Sequence, residues 1–190
     1  MFVMAQSKAR DRLLEAAAGL FYREGINGVG VDRVLDEAGV TRTTLYSHFA
    51  GKEGLVAAYL EREDAAIRGY FAEAAERTSD PQEQLELIVQ GIADDISRYH
   101  TRGCPFINAA AEFPDASSEV RGIVARHRAW FRQTLRNALA AAGHPDPDAG
   151  AAALVLLRDA ALVGGYLDGA EVAGPAFLRE AGRVIAPSRA

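Results

Sequence analysis

Apolar residues in this 190-residue chain recur at three- and four-residue intervals from Leu13 to Ile185, and no run alternates with the two-residue period of a half-buried strand. A chain patterned this way can bury its stripes only by packing helix on helix, which predicts an all-α fold of about nine helices. The first helix is expected from Ser7, as cap, to about residue 24, with Leu13, Ala17, Leu20 and Phe21 inward and Gly25 as its stop. A short helix comes next at Val31–Ala38 and another opens at Thr41. A long fourth helix starts at Gly51-Lys52 and carries Leu55, Tyr59, Ile67, Tyr70, Phe71 and Ala74 at its apolar positions. Asp80-Pro81 and Asp146-Pro147 each set a capping carboxylate before a proline, an arrangement that opens a helix, and Glu83 stands where a capping box would place it. The fifth stripe is Leu85, Ile88, Val89, Ile92, Ile96 and Tyr99. A shorter helix is expected over 106–112, and the next carries Val120, Ile123, Val124, His127, Phe131, Leu135 and Leu139.

Charge divides unevenly along the chain. The net charge is −5, from 21 Lys/Arg and 26 Asp/Glu. Residues 1–52 hold seven bases (Lys8, Arg10, Arg12, Arg23, Arg33, Arg42, Lys52) against six acids, a balance of +1 that leaves 14 bases and 20 acids, or −6, for the rest. An acidic body repels a phosphate backbone, so any nucleic-acid contact falls to the N-terminal quarter. The single cysteine, Cys104, excludes an intrachain disulfide and fits a reducing compartment. Residues 1–6 lack the basic and apolar regions of a signal peptide, and no uncharged apolar stretch reaches the roughly 20 residues that span a bilayer. A cytoplasmic protein without a membrane partner is expected.

The stretch 31–49, VDRVLDEAGVTRTTLYSHF, carries the functional information. Val31, Val34, Leu35 and Ala38 give one buried face, Gly39 supplies a left-handed turn, and Thr41 caps the next helix. Leu45 and Phe49, four apart, bury that next helix. This is a helix-turn-helix pattern, whose second helix enters the major groove of DNA. With Leu45 and Phe49 inward, Arg42, Thr43, Thr44, Tyr46, Ser47 and His48 remain to face bases and phosphates.

Over residues 7–60 the chain resembles the TetR family of one-component repressors. The LLEAA..LF...G opening, the V..V...AGV(T)...LY.HF stretch and Lys52-Glu53-Gly54-Leu55 fall at that family's spacings. The resemblance implies groove and phosphate roles for Thr41, Arg42, Thr44, Tyr46, Ser47 and His48, and a phosphate contact for Lys52. Three positions depart from the pattern: Gly30 replaces the usual Ser or Thr cap of the second helix, Ala50 a common basic residue and Gly51 a common cap. They predict modest intrinsic electrostatic affinity, and so a need for dimeric binding. The domains implied are a helix-turn-helix DNA-binding domain at 1–51 and a larger helical effector-binding and dimerisation domain at 52–190.

The eighth helix is apolar nearly all round over 151–167, interrupted mainly by Arg158 and Asp159. A helix apolar on every side is buried on every side, and in a small chain that predicts a partner subunit. Leu154, Leu157, Ala161, Gly164 and Gly165, with Phe177, Ala181 and Val184 of the last helix, are the expected homodimer contacts. Tyr70, Phe71, Tyr99, Phe106, Trp130 and Phe131 predict a pocket for a small, largely apolar effector, with His100, Cys104, Asn108 or His127 as polar anchors. Cys104 reads as a small residue packed in the pocket wall; the alternative is a redox or electrophile sensor, favoured by nearby His100 or Arg102.

Other chemistry is not indicated. Gly28 and Gly30 imitate part of a dinucleotide fingerprint, but no strand precedes them. Adjacent Asp94 and Asp95 point to different helix faces, and four scattered histidines with one cysteine show no metal spacing. No nucleophile pairs with a base and no phosphate loop is present, so no cofactor and no enzyme are expected. The function expected is that of an operator-binding regulator, a repressor released by its effector. A catalytic helical domain using the C-terminal pocket is the alternative of another class.

Overall fold

In the computed structural model, which describes residues 2–186, each apolar stripe becomes a helix, and no strand occurs among those residues. The chain forms two compact units, and the boundary differs from the one expected after residue 51. One unit comprises the residues up to Asp64 together with Pro105–Val124; the other comprises Ala65–Cys104 and the residues from Ala125 onward. The division falls inside the continuous helix Gly51–Arg77.

The first unit is built from α1 (Phe2–Glu24), α2 (Val31–Ala38), α3 (Arg42–His48) and the opening of α4 (Gly51–Arg77), with α6 (Pro105–Glu112) and the start of α7 (Glu119–Ala141). Helix α1 begins ahead of Ser7, the expected cap, whose side chain lies outside the described residues. Gly39 ends α2 at φ 61, ψ 45, a left-handed conformation that costs a residue with a Cβ much more than glycine. Leu13, Leu20 and Phe21 of α1, Val34 of α2, Leu45 of α3 and Leu55, Tyr59 and Leu60 of α4 are buried. Phe21 and Tyr59 meet edge to face at 6.1 Å, and Arg62 pairs with Glu15 at 2.7 Å. Residues 105–124 join this unit for an identifiable reason. The Glu112 carboxylate accepts the backbone N–H of Ile26 at 2.9 Å and of Asn27 at 2.6 Å, and the Asn27 amide donates back to the Glu112 carbonyl. The last residue of α6 thereby satisfies the turn between α1 and α2.

The second unit holds the end of α4, α5 (Pro81–Asp94), the body of α7, α8 (Pro147–Asp168) and α9 (Ala170–Ile185). The caps at Asp80 and Asp146 form as expected, Asp80 accepting the backbone N–H of Gln82 and Glu83 and Asp146 that of Ala149. Glu83 instead accepts the Thr78 hydroxyl, which in turn accepts the Asp80 N–H, so Thr78 completes the box. After Asp94 the helix opens into a π-helical turn, Asp95–Tyr99. The wider turn shifts the facing of the residues beyond it. Ile96 stays buried while Tyr99 leaves the stripe and is 55% exposed.

Candidate nucleic-acid interface and cavity

Helix α3 is fixed from beneath by Leu45 and Phe49, which are 1% and 7% exposed, with the Arg10 guanidinium over the Phe49 ring. Thr41 caps it, its hydroxyl accepting the Thr44 N–H at 3.3 Å, and the Ser47 hydroxyl donates to the Thr44 carbonyl. With that anchoring, Thr41, Arg42, Thr43, Tyr46 and Ser47 are exposed, and Thr44 and His48 are half-buried. Lys52 is half-buried in the first turn of α4. Tyr46 is 58% exposed. Arg42 is paired with Asp32 of α2, whose hydrogen bond first and charge second raise the guanidinium above its ordinary pKa. The sequence did not reveal this pair, since ten residues and a turn separate its members. Gly30 caps α2 without any side-chain bond, the deficit its identity implied.

In the second unit a cavity of about 260 Å³ lies among α4, α5, the π-helical turn, α7 and α8. Ile67, Phe71, Ile88, Ile92 and Phe131 supply apolar wall; Tyr70, Tyr99, Asp94, Asp95 and Arg158 supply polar atoms. The Tyr70 and Tyr99 rings lie 5.9 Å apart, and the hydrogen bond between them, then desolvation, pushes Tyr70 up to about 12. Four expected effector residues therefore line one cavity: Tyr70, Phe71, Tyr99 and Phe131. The other six lie elsewhere. Phe106 and Asn108 belong to the first compact unit, because Glu112 draws α6 there. Trp130 and His127 stack behind the wall instead, Trp130 between Phe71 at 5.4 Å and the Arg68 guanidinium at 4.1 Å, and His127 against Phe131 at 6.1 Å. His100 is 8% exposed and its Nδ1 meets Asp95 Oδ1 at 2.6 Å, so it supports a wall residue. Cys104 is 1% exposed, with its Sγ accepting from Arg158 Nη1 at 3.4 Å.

Arg158 is the residue that sequence reasoning undervalued. It read as an interruption of an apolar helix, yet it is only 3% exposed and its guanidinium lies over the Phe131 ring at 5.0 Å. A lone arginine inside an otherwise apolar helix was the available signal, since such a charge is either a surface residue or a buried group with partners.

Helix α8 is not covered on every side. Leu154, Ala161, Phe177 and Ala181, expected at a dimer interface, lie in the protomer's own core at 8% exposure or less. Gly165 serves an internal approach as well, for a Cβ there would come within 3.0 Å of Ile96 in the π-helical turn. Leu157, Gly164 and Val184 are half-buried. The outward face is formed by Leu156, Ala160, Val163 and Leu167, at spacings of four, three and four; Tyr166 and Val172 are exposed as well. By length and composition alone α8 could cross a membrane; its other face packs on α9 and carries the buried Arg158.

A family model described as "Bacterial regulatory proteins, tetR family" matches residues 13–59, and one described as "Tetracyclin repressor-like, C-terminal domain" matches residues 81–172. The crystal structure of SCO4454, a TetR-family transcriptional regulator from Streptomyces coelicolor, is 41% identical with a TM-score of 0.90, covering 94% of this chain and 95% of that one. The HTH-type transcriptional activator FasR of Mycolicibacterium smegmatis is 31% identical over 93 residues, 49% of this chain and 42% of its own. The HTH-type transcriptional repressor KstR2 of Rhodococcus jostii is 30% identical over 130 residues, 68% of this chain and 59% of its own. The chain spans about half the length of the curated relatives it matches.

Proposed function

This chain belongs to the TetR family of transcriptional regulators, DNA-binding proteins that are not enzymes, and from that membership we propose a cytoplasmic homodimeric repressor that a small molecule releases from its operator. One observation carries the DNA-binding part of the reading. Leu45 and Phe49 pin α3 to the core while Tyr46, Ser47, Arg42 and Thr43 stand outward, polar and unburied. An operator selected from random-sequence duplexes serves as the test, by fluorescence anisotropy. Tyr46→Ala is expected to weaken binding by about 1–3 kcal/mol with thermal stability unchanged. Lys52→Ala is expected to weaken binding evenly across sequences and reduce the salt slope by about 1. Unchanged affinity in both variants removes the assignment.

Dimerisation is supported by the outward stripe of α8, since an apolar row at helical spacing facing water marks an interaction surface. Two α3 helices would then meet half-sites about 34–36 Å apart. The effector reading rests on the cavity, which is apolar with a few convergent polar groups. Helix α4 begins next to α3 in the chain and ends with Tyr70 and Phe71 in the cavity wall, which makes it the proposed route of the signal. A ligand favouring the DNA-incompetent arrangement by roughly 1–3 kcal/mol lowers operator affinity 5- to 150-fold. The thiol-sensing alternative has one contact in its favour, Arg158 Nη1 against Cys104 Sγ, and the burial of Cys104 against it. Cys104→Ser separates the two: a response lost only toward oxidants or electrophiles assigns the signal to the thiol.

A further inference from the structure

Arg158 is a buried cation whose partners do not use it up. Its Nη1 donates to Cys104 Sγ and to Asp159 Oδ1, both at 3.4 Å, and among the described residues Nε and Nη2 donate no hydrogen bond. Both facing carboxylates are shared. Asp159 Oδ2 already takes Arg128 Nη2 at 2.8 Å, so one carboxylate serves two guanidiniums. Asp95 Oδ1 is taken by His100 Nδ1 at 2.6 Å. An arginine only 3% exposed overall, with most of its five donors unpaired within the protein, has its fork left to offer a ligand, and a planar oxyanion in two-point contact is what that geometry fits. Arg158 is also part of the cavity wall, beside Phe131, Phe71 and Ile92. The other charges there, Glu73 and Arg77, are exposed and of opposite sign, and Asp94 is half-buried with Oδ1 accepting from the Gln90 amide.

We infer that the cavity takes an amphipathic anion, with a carboxylate held by Arg158 and an aromatic or short-chain apolar body against Phe71 and Phe131. This names the class of ligand for the effector site and rests on that reading. Size agrees with chemistry: a cavity of roughly 150 Å³ accepts benzene, so about 260 Å³ accepts a body of one or two rings. The expectation of a largely apolar effector is thereby sharpened, and the polar anchor moves from His100, Cys104, Asn108 or His127 to Arg158.

Three probes of one shape and different charge decide it on the intact protein: 2-naphthoate, 2-naphthalenemethanol and 2-naphthylmethylammonium, titrated by calorimetry. Naphthoate is expected to bind at least about tenfold more tightly than the alcohol, the difference of one charge-assisted contact, and the ammonium most weakly. Arg158→Lys keeps the charge but loses the fork, and is expected to narrow the preference for naphthoate over the alcohol; Arg158→Met is expected to abolish it. The charge series on the unmodified protein stands even if Arg158→Met does not fold. Preference for the ammonium, equal binding of naphthoate and alcohol, or no binding of naphthoate at millimolar concentration overturns the inference. Naphthoate bound with the operator still retained supports the ligand class and defeats the effector reading. Release by other compounds with naphthoate unbound does the reverse.

Discussion

Helices α3 and α8 both bury one face and expose the other, but what they expose is opposite. α3 turns Arg42, Thr43, Tyr46 and Ser47 outward; α8 turns out Leu156, Ala160, Val163 and Leu167. A row of hydroxyls and a guanidinium keeps its solvation until a phosphate or base edge replaces water, so it suits a partner that is met and left. A row of leucine and valine is disfavoured in water throughout, at about 25 cal/mol per Å² of apolar surface, so it suits a partner that stays. The two exposed faces therefore assign different lifetimes to the two partners proposed for this chain, operator and second copy.

Substitutions on the inner and outer faces break this comparison if it is wrong. The largest effects are expected inside: Leu45→Ala and Leu154→Ala should each cost about 2–5 kcal/mol in denaturant unfolding, since both are essentially fully buried. If Leu154→Ala instead left stability intact and only dissociated the protein, Leu154 would belong to an interface after all. On the outer face of α8, Val163→Asp should keep the helical far-ultraviolet spectrum and raise the dimer dissociation constant at least about tenfold, the scale of one desolvated charge. The smallest effect is expected at Gly30. Its φ of −75 suits any residue and a Cβ there meets nothing within 4 Å, so Gly30→Ser should add a few tenths of a kcal/mol by capping α2. A loss of stability there would mean that the open cap has another use.

How much of this was legible depended on how far apart the cooperating residues lie. Gly39, Thr41, Asp80-Pro81 and Asp146-Pro147 act within a turn of themselves, and the elements they open or close fall where their identities put them. Leu45 and Phe49, four apart, set the orientation of α3 in the same local way. The cavity was half legible: aromatic residues of α4 and α7 converge, but Phe106 and Asn108 sit in the other compact unit because of a bond between Glu112 and a turn 85 and 86 residues away. No periodicity encodes that. The π-helical turn was invisible for a related reason, because the hydrophobic stripe continues through Ile96 before it is lost at Tyr99. Composition told that α8 was apolar all round without telling which side the protomer itself covers. Leu154 and Leu156 are chemically identical, and only the packing against α9 makes the first core and the second surface.

The central claim is that α3 and α8 hold two different partners at once, and the mass of the operator complex tests it most directly. Sedimentation of a labelled, selected operator with the unmodified protein should show two protomers per half-site pair, bound together with no stable one-protomer species. Under the same conditions Val163→Asp should lose operator binding while remaining folded. A single protomer bound at full affinity, or Val163→Asp binding as the parent does, would contradict the account.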